Sequence, residues 1–120
     1  MAFLAQLLLN AVQVSILYGL LAVSYVLIHA VTRRINFAFG ALAIVAGYTV
    51  INMATWLGFL MPSEALLAVL AAMAIAVAHT GMLGVAIDRT TARPLLRASS
   101  LAVLVATLGV AFVLEEAVRL

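Results

Sequence analysis

Asn36 is the residue whose setting first suggests chemistry. It is a primary amide in the stretch Ile35-Asn36-Phe37-Ala38-Phe39-Gly40, just after Arg33-Arg34 and just before a long apolar run. An amide placed there predicts a helix that restarts after a break, with Gly40 and Gly47 letting other backbone come near. A helix broken inside a membrane exposes unpaired N–H and C=O groups, and its ends carry partial charge. A zwitterion such as a free amino acid suits that environment. A simple N-cap with a packing surface is the other reading of the same residues.

Further polar residues are scattered through apolar surroundings. Gln6, Asn10, Gln13 and Ser24 fall within one narrow sector at about 100° per residue. On an apolar helix such a stripe faces protein or water, either as a hydrogen-bonding seam between helices or as the lining of a solute path. His79 reads as a satisfied packing residue, with a proton relay or gate as the sharper alternative. His29, beside the two arginines, is expected to reach the interface. Glu115 and Glu116 resemble an acidic pair, but neighbours on a helix point about 100° apart, so they mark a helix end instead. No H-E-x-x-H, G-x-G-x-x-G or favourably spaced Ser/His/Asp set occurs. The sequence has no cysteine, which excludes disulfides and thiolate metal sites, and no metal site is expected. It has no lysine either, which removes Schiff-base chemistry and the phosphate-binding lysine of a P-loop.

The elements that must hold these residues are set by solvent. Hydrophobic residues make up 68% of the chain and charged ones 8%, against about 25% charged in ordinary soluble domains. Mean hydropathy is +1.33. The charges bound four charge-free runs, 1–32, 35–63, 65–87 and 98–114. About 20 apolar residues span a bilayer as a helix, and unpaired backbone is too costly there for anything less regular. The runs do not alternate as barrel strands would. The expectation is an all-α, polytopic transmembrane bundle with helices at about 4–29, 37–60, 64–87 and 101–116. The first run has no Lys or Arg before it and is long, so it reads as a retained helix rather than a cleaved signal peptide.

Local signals refine these elements. Gly40, Ala43 and Gly47 predict a small face on the second helix. Ala68, Ala72, Ala76 and Thr80 predict a packing face on the third, and Ser63 is placed to cap it. Trp56 sits where indoles favour headgroups. Thr91 is placed to cap a short helix with Pro94 in its first turn, and Ser99 or Ser100 to cap the fourth long one. Segments 32–37 and 88–100 are net positive, whereas 61–64 and 115–120 are net negative. The positive-inside rule then puts the two positive segments in the cytoplasm and the N-terminus outside. A sequence pI near 9.7 is read in the same way, as membrane orientation and not nucleic-acid binding.

Two stretches go beyond generic membrane helices. One is Tyr18-Gly19-Leu20 followed by Ile35-Asn36-Phe37-Ala38-Phe39-Gly40. The other is Ala92-Arg93-Pro94-Leu95-Leu96-Arg97 followed by Leu104-Val105-Ala106-Thr107-Leu108-Gly109-Val110. In order and spacing they resemble the permease family of branched-chain amino acid ABC transporters, with its I-N-F-A-H-G segment, R-P-L-R loop and A-T-I-G helix. The resemblance covers most of the chain. It implies a permease in a bacterial inner membrane that forms a path for branched-chain or other hydrophobic amino acids. The implied partners are a second permease subunit, two cytoplasmic ATP-binding subunits that hydrolyse ATP, and a solute-binding protein outside. The permease itself would do no bond chemistry and hold no cofactor.

Asn36, Phe37, Gly40 and Tyr18 are then the expected path residues, with the Gln13 stripe in support, and Arg93 and Arg97 the expected cytoplasmic-surface contacts. Phe39 stands where the family usually has histidine, and Ala41 where an acidic residue is common. An amide or urea-like solute therefore stays open. Family permeases are more than twice as long and end their N-terminal half about where this chain ends, so an N-terminal portion of a permease is expected. A small membrane protein that packs with partners and carries nothing is the alternative from a different class.

Overall fold

The computed structural model describes all 120 residues, the side chain of Leu96 excepted. Its long elements are α1 (Ala2–Thr32), α2 (Ala38–Leu60), α3 (Ala65–Ile87) and α4 (Ser100–Arg119). All four are long and apolar enough to cross a membrane. This is the all-α, four-span architecture expected from the charge-free runs. The chain divides into two compact units, Met1–Ile35 and Asn36–Leu120.

The first unit is α1 and its C-terminal cap. Its 31 residues make a rod of about 46 Å, longer than the ~30 Å hydrocarbon layer. None of its residues is buried. The hydroxyls of Ser15 and Ser24 donate back to the carbonyls of Ala11 and Leu20 at 2.7 and 2.8 Å. Gln6, Asn10 and Gln13 are exposed. The helix ends at Arg33, which takes a left-handed conformation (φ 50°) and donates its N–H to the His29 carbonyl at 2.7 Å. Glycine is the usual residue at such a cap, because a side chain costs about 1–2 kcal/mol there. Stacked on Tyr25, the His29 ring lies with its Nδ1 3.2 Å from the Arg34 carbonyl.

In the second unit α2 is central, and α3 and α4 both pack against it. The facing residues recur at helical spacing: Ala38, Ala41 and Val45 on α2, Ala68, Ala72 and Ala76 on α3, Val103, Thr107 and Ala111 on α4. Apart from Thr107, the buried core among the described residues is eight apolar side chains, six of them alanine. Small side chains let helix backbones approach closely, which is how association proceeds where lipid removes the hydrophobic drive. The large apolar residues, such as Leu66, Val77, Phe59 and Phe112, point outward.

The alanine repeat of the third helix packs as read. The glycine face of the second does not: Gly40 and Gly47 are exposed, and a Cβ added at either meets nothing within 4 Å. The face of α2 that packs is the one carrying Ala38, Ala41 and Val45.

Two caps differ from expectation. Ser63 does not cap α3. Glu64 is the N-cap and makes no side-chain cap bond, and its N–H is held by the Met61 carbonyl at 3.1 Å in the turn. Thr91 does not start a helix. It lies inside a π-helical turn, Asp88–Ala92, that continues α3, and Arg93 precedes a 3-10 turn, Pro94–Arg97. Proline cannot donate to the ladder and disfavours helical backbone before it, so α3 widens and stops here. Asp88 secures the widened turn twice: its carbonyl accepts the Arg93 N–H and its carboxylate accepts from Arg93 Nε, both at 2.8 Å. Ser99 does cap α4, accepting the Ala102 N–H at 3.4 Å.

The α2–α3 contact is tight enough to test. Ala72→Leu, at a position with 0% exposure, overpacks the interface and is expected to cost about 1–3 kcal/mol. Ala71→Leu, one residue earlier and exposed, should leave the denaturation midpoint in detergent unchanged. Equal midpoints for the two variants would contradict this interface.

Candidate functional site

The site begins with the problem of starting a helix. The first backbone N–H groups of α2 have no partner within the helix. Two side chains supply what the helix cannot. Asn36 Oδ1 accepts the Ala38 N–H at 3.0 Å. Thr107 Oγ1, from the middle of α4, accepts the Phe37 N–H at 3.4 Å and donates to the Leu104 carbonyl at 3.0 Å. Asn36 therefore does the work of a cap one position before the residue that geometrically opens the helix, Phe37. Boundaries of this kind shift by a residue or two. Thr107 is 1% exposed and is the one buried polar residue of the described core.

Sequence reasoning picked out Asn36 but gave Thr107 no role. A signal was present: Thr107 is the sole polar side chain in the run 101–114.

Beside these anchors, Phe37 is 46% exposed and Gly40 is open on the same side of the helix start. The amide nitrogen of Asn36 has no acceptor among the described residues, so it is available as a donor. Asn36, Phe37 and Gly40 thus lie within about one turn of each other at the N-terminal end of α2, where the helix dipole is positive. Tyr18 and Gln13 belong to the other unit. Both are exposed on α1, and their five-residue spacing puts them about 140° apart around that helix, so Tyr18 does not extend the Gln13 stripe. Phe39 is half-buried and Ala41 is 3% exposed in the packed face of α2. An acidic side chain at 41 would be buried against the bundle, which is a physical reason for alanine there.

Arg93 and Arg97 are exposed at the Pro94–Arg97 turn. The Arg93–Asp88 pair, with side chains 66% and 51% exposed, contributes at most about 1 kcal/mol. Its effect is to shape the turn. No group of histidine and acidic side chains suited to a metal occurs among the described residues.

Thr107→Val removes the acceptor for the Phe37 N–H. The 3.4 Å bond is long, so a loss of about 1 kcal/mol is expected. Thr107→Ser, which keeps the hydroxyl, should retain more of the thermal midpoint in detergent than Thr107→Val. The reverse order would remove the hydrogen bond from the account.

No protein-family model matches the chain, and no solved structure matches it. Among curated proteins it is similar to the high-affinity branched-chain amino acid transport system permease protein BraD of Pseudomonas aeruginosa, 30% identical over 115 residues. The match covers 96% of this chain and 38% of the relative, so the chain spans less than half the length of that protein. It bears out the resemblance carried by the Ile35–Gly40 and Ala92–Val110 stretches. Four apolar, membrane-length helices and this similarity together make the chain a multi-pass membrane protein related to a branched-chain amino acid transport permease.

Proposed function

We propose that this chain is part of the membrane-spanning permease of an ABC importer in a bacterial inner membrane, contributing to the path of branched-chain or other hydrophobic amino acids. The observation that carries the reading is the similarity to a branched-chain amino acid permease over 96% of the chain. The helix start at Asn36 adds to it. There a free amide, a positive helix end and an open glycine lie next to an exposed phenylalanine ring, a pairing of polar and apolar surface that fits a hydrophobic amino acid. The permease positions and passes the solute and makes or breaks no bond. ATP hydrolysis by separate cytoplasmic subunits supplies the drive, a second permease subunit completes the path, and a solute-binding protein delivers the solute from outside.

We assign the named residues the following roles. Asn36 offers its amide hydrogens to the solute carboxylate while its oxygen holds the helix start. Phe37 contacts the aliphatic side chain, and Gly40 leaves the backbone approachable. Tyr18 and the Gln13 stripe line the path from α1. Arg93 and Arg97 meet the cytoplasmic surface. In this orientation the N-terminus and Ser63 are outside, and the segments 32–37 and 88–100 are inside.

Two measurements test this. In the assembled transporter, Asn36→Leu should reduce the initial rate of leucine uptake about tenfold or more, as for a lost hydrogen bond to a charged group, with membrane abundance unchanged. Unaltered uptake at equal abundance removes Asn36 from the path, and competition by urea or acetamide in place of isoleucine would assign the other solute class. For orientation, the chain has no cysteine, so Ser63→Cys and Ala98→Cys report cleanly. An impermeant thiol reagent applied to intact spheroplasts should label the first and not the second. The opposite pattern inverts the topology.

A further inference from the structure

A second polar cluster lies far from Asn36, between α2 and α3 and beside the end of α4. Tyr48, Thr49, Asn52 and His79 line an open cleft of about 450 Å³, with Met53 and Ile75 among its apolar walls. Thr49 stands 13 residues beyond Asn36, about 20 Å along the helix axis and near the middle of α2. Exposed polar side chains at that depth are costly unless something satisfies them. Most hydroxyls of these helices are satisfied locally: Thr55 and Thr80, for example, donate to the carbonyl four residues back. The cleft residues are not all satisfied in that way.

The hydrogen bonds fix which groups are left over. Thr49 Oγ1 donates its only proton to the Val45 carbonyl at 2.8 Å. It also lies 3.2 Å from His79 Nδ1, where the histidine tautomer sets which of the two donates. With the Thr49 proton on the Val45 carbonyl, His79 Nδ1 carries the hydrogen, and in the neutral ring Nε2 is then a bare acceptor. It has no partner among the described residues. Asn52 Nδ2 donates to the Tyr48 carbonyl at 3.1 Å, which leaves Asn52 Oδ1 as a second free acceptor. Tyr48 is 52% exposed, so its hydroxyl is also accessible. The cleft thus offers two acceptors and a phenol above an apolar floor, in a volume typical of small-ligand sites, ~300–1,000 Å³.

We propose that this cleft binds a small amphiphilic solute that donates hydrogen bonds, a primary ammonium or primary amide carried on a short aliphatic group. The donor head meets His79 Nε2 and Asn52 Oδ1, and the aliphatic part lies against Met53 and Ile75. Thr49 is a positioning residue, since it sets the histidine tautomer without meeting the ligand. The site goes beyond the patch at Asn36, and its test reads binding and not uptake, so either can fail without the other.

The chain has two histidines, which makes ring-nitrogen NMR decisive. The full chain, labelled with ¹⁵N-histidine in detergent micelles at about pH 8, above the ordinary histidine range, should show His79 with a protonated Nδ1 and a bare Nε2. Thr49→Val should lose that tautomer preference. Isoamylamine and isovaleramide should shift the His79 Nε2 resonance saturably and leave His29 unmoved. Isovalerate, with the same aliphatic group and no donor, should do nothing. Asn52→Leu should weaken the response roughly tenfold, as for one lost hydrogen bond, and Tyr48→Phe should weaken it less. Retention of the Nδ1–H signal in Asn52→Leu and Tyr48→Phe shows that these two variants keep the cleft. A linear response, an equal response to isovalerate, or no response to any of the three compounds overturns the proposal.

Discussion

A peptide N–H or C=O without a partner costs several kcal/mol in hydrocarbon, and most of the local structure of this chain answers that constraint. It explains why hydroxyls along the helices turn back to carbonyls one turn earlier, as Thr49, Thr55 and Thr80 do. It also explains why the ends of helices hold the informative residues. Arg33 closes α1 with its own N–H in a conformation that normally belongs to glycine. Asn36 and Thr107 together supply the acceptors that the start of α2 lacks. Thr107 is the more telling of the two, because a buried hydroxyl in a face otherwise built of valine and alanine is there for a partner, and the partner is the backbone of another helix.

The same medium decides how the helices pack. With lipid on the outside, no apolar residue gains by moving inward, so contacts are chosen for closeness of fit. The core of the second unit is accordingly mostly alanine, and the leucines and phenylalanines lie outside it. α2 touches both α3 and α4, and a single face of Ala38, Ala41 and Val45 serves both neighbours. That arrangement leaves the rest of α2 free. Gly40 and Gly47 are uncovered, and the Tyr48–Thr49–Asn52 segment opens onto a cleft.

Two polar stations, the second shared with α3, therefore lie along α2. One is at its N-terminal end, where Asn36 presents donors and the helix dipole is positive. The other is near its middle, where His79 and Asn52 present acceptors. The two are complementary in sign: the first suits an acceptor such as a carboxylate, the second a donor such as an ammonium or an amide.

What the sequence determined by itself is the medium, the number of spans and the family resemblance. Charges confined to Arg33-Arg34, Glu64, the 88–97 segment and the end of the chain bound apolar runs that only helices in lipid can satisfy. The alanine repeat of α3 was also legible, because a period of four on a helix has one meaning wherever the helix lies. Which face of α2 packs was not legible. Gly40, Ala43 and Gly47 are as small as Ala38, Ala41 and Val45, and the choice belongs to two neighbouring helices at once. The bond from Thr107 to Phe37 joins residues 70 apart in sequence, so no local pattern contains it. The contact of Thr49 with His79 likewise joins two helices, across 30 residues of sequence. Tertiary structure decided these points because each depends on which groups meet across helices, and helix periodicity describes only one helix at a time.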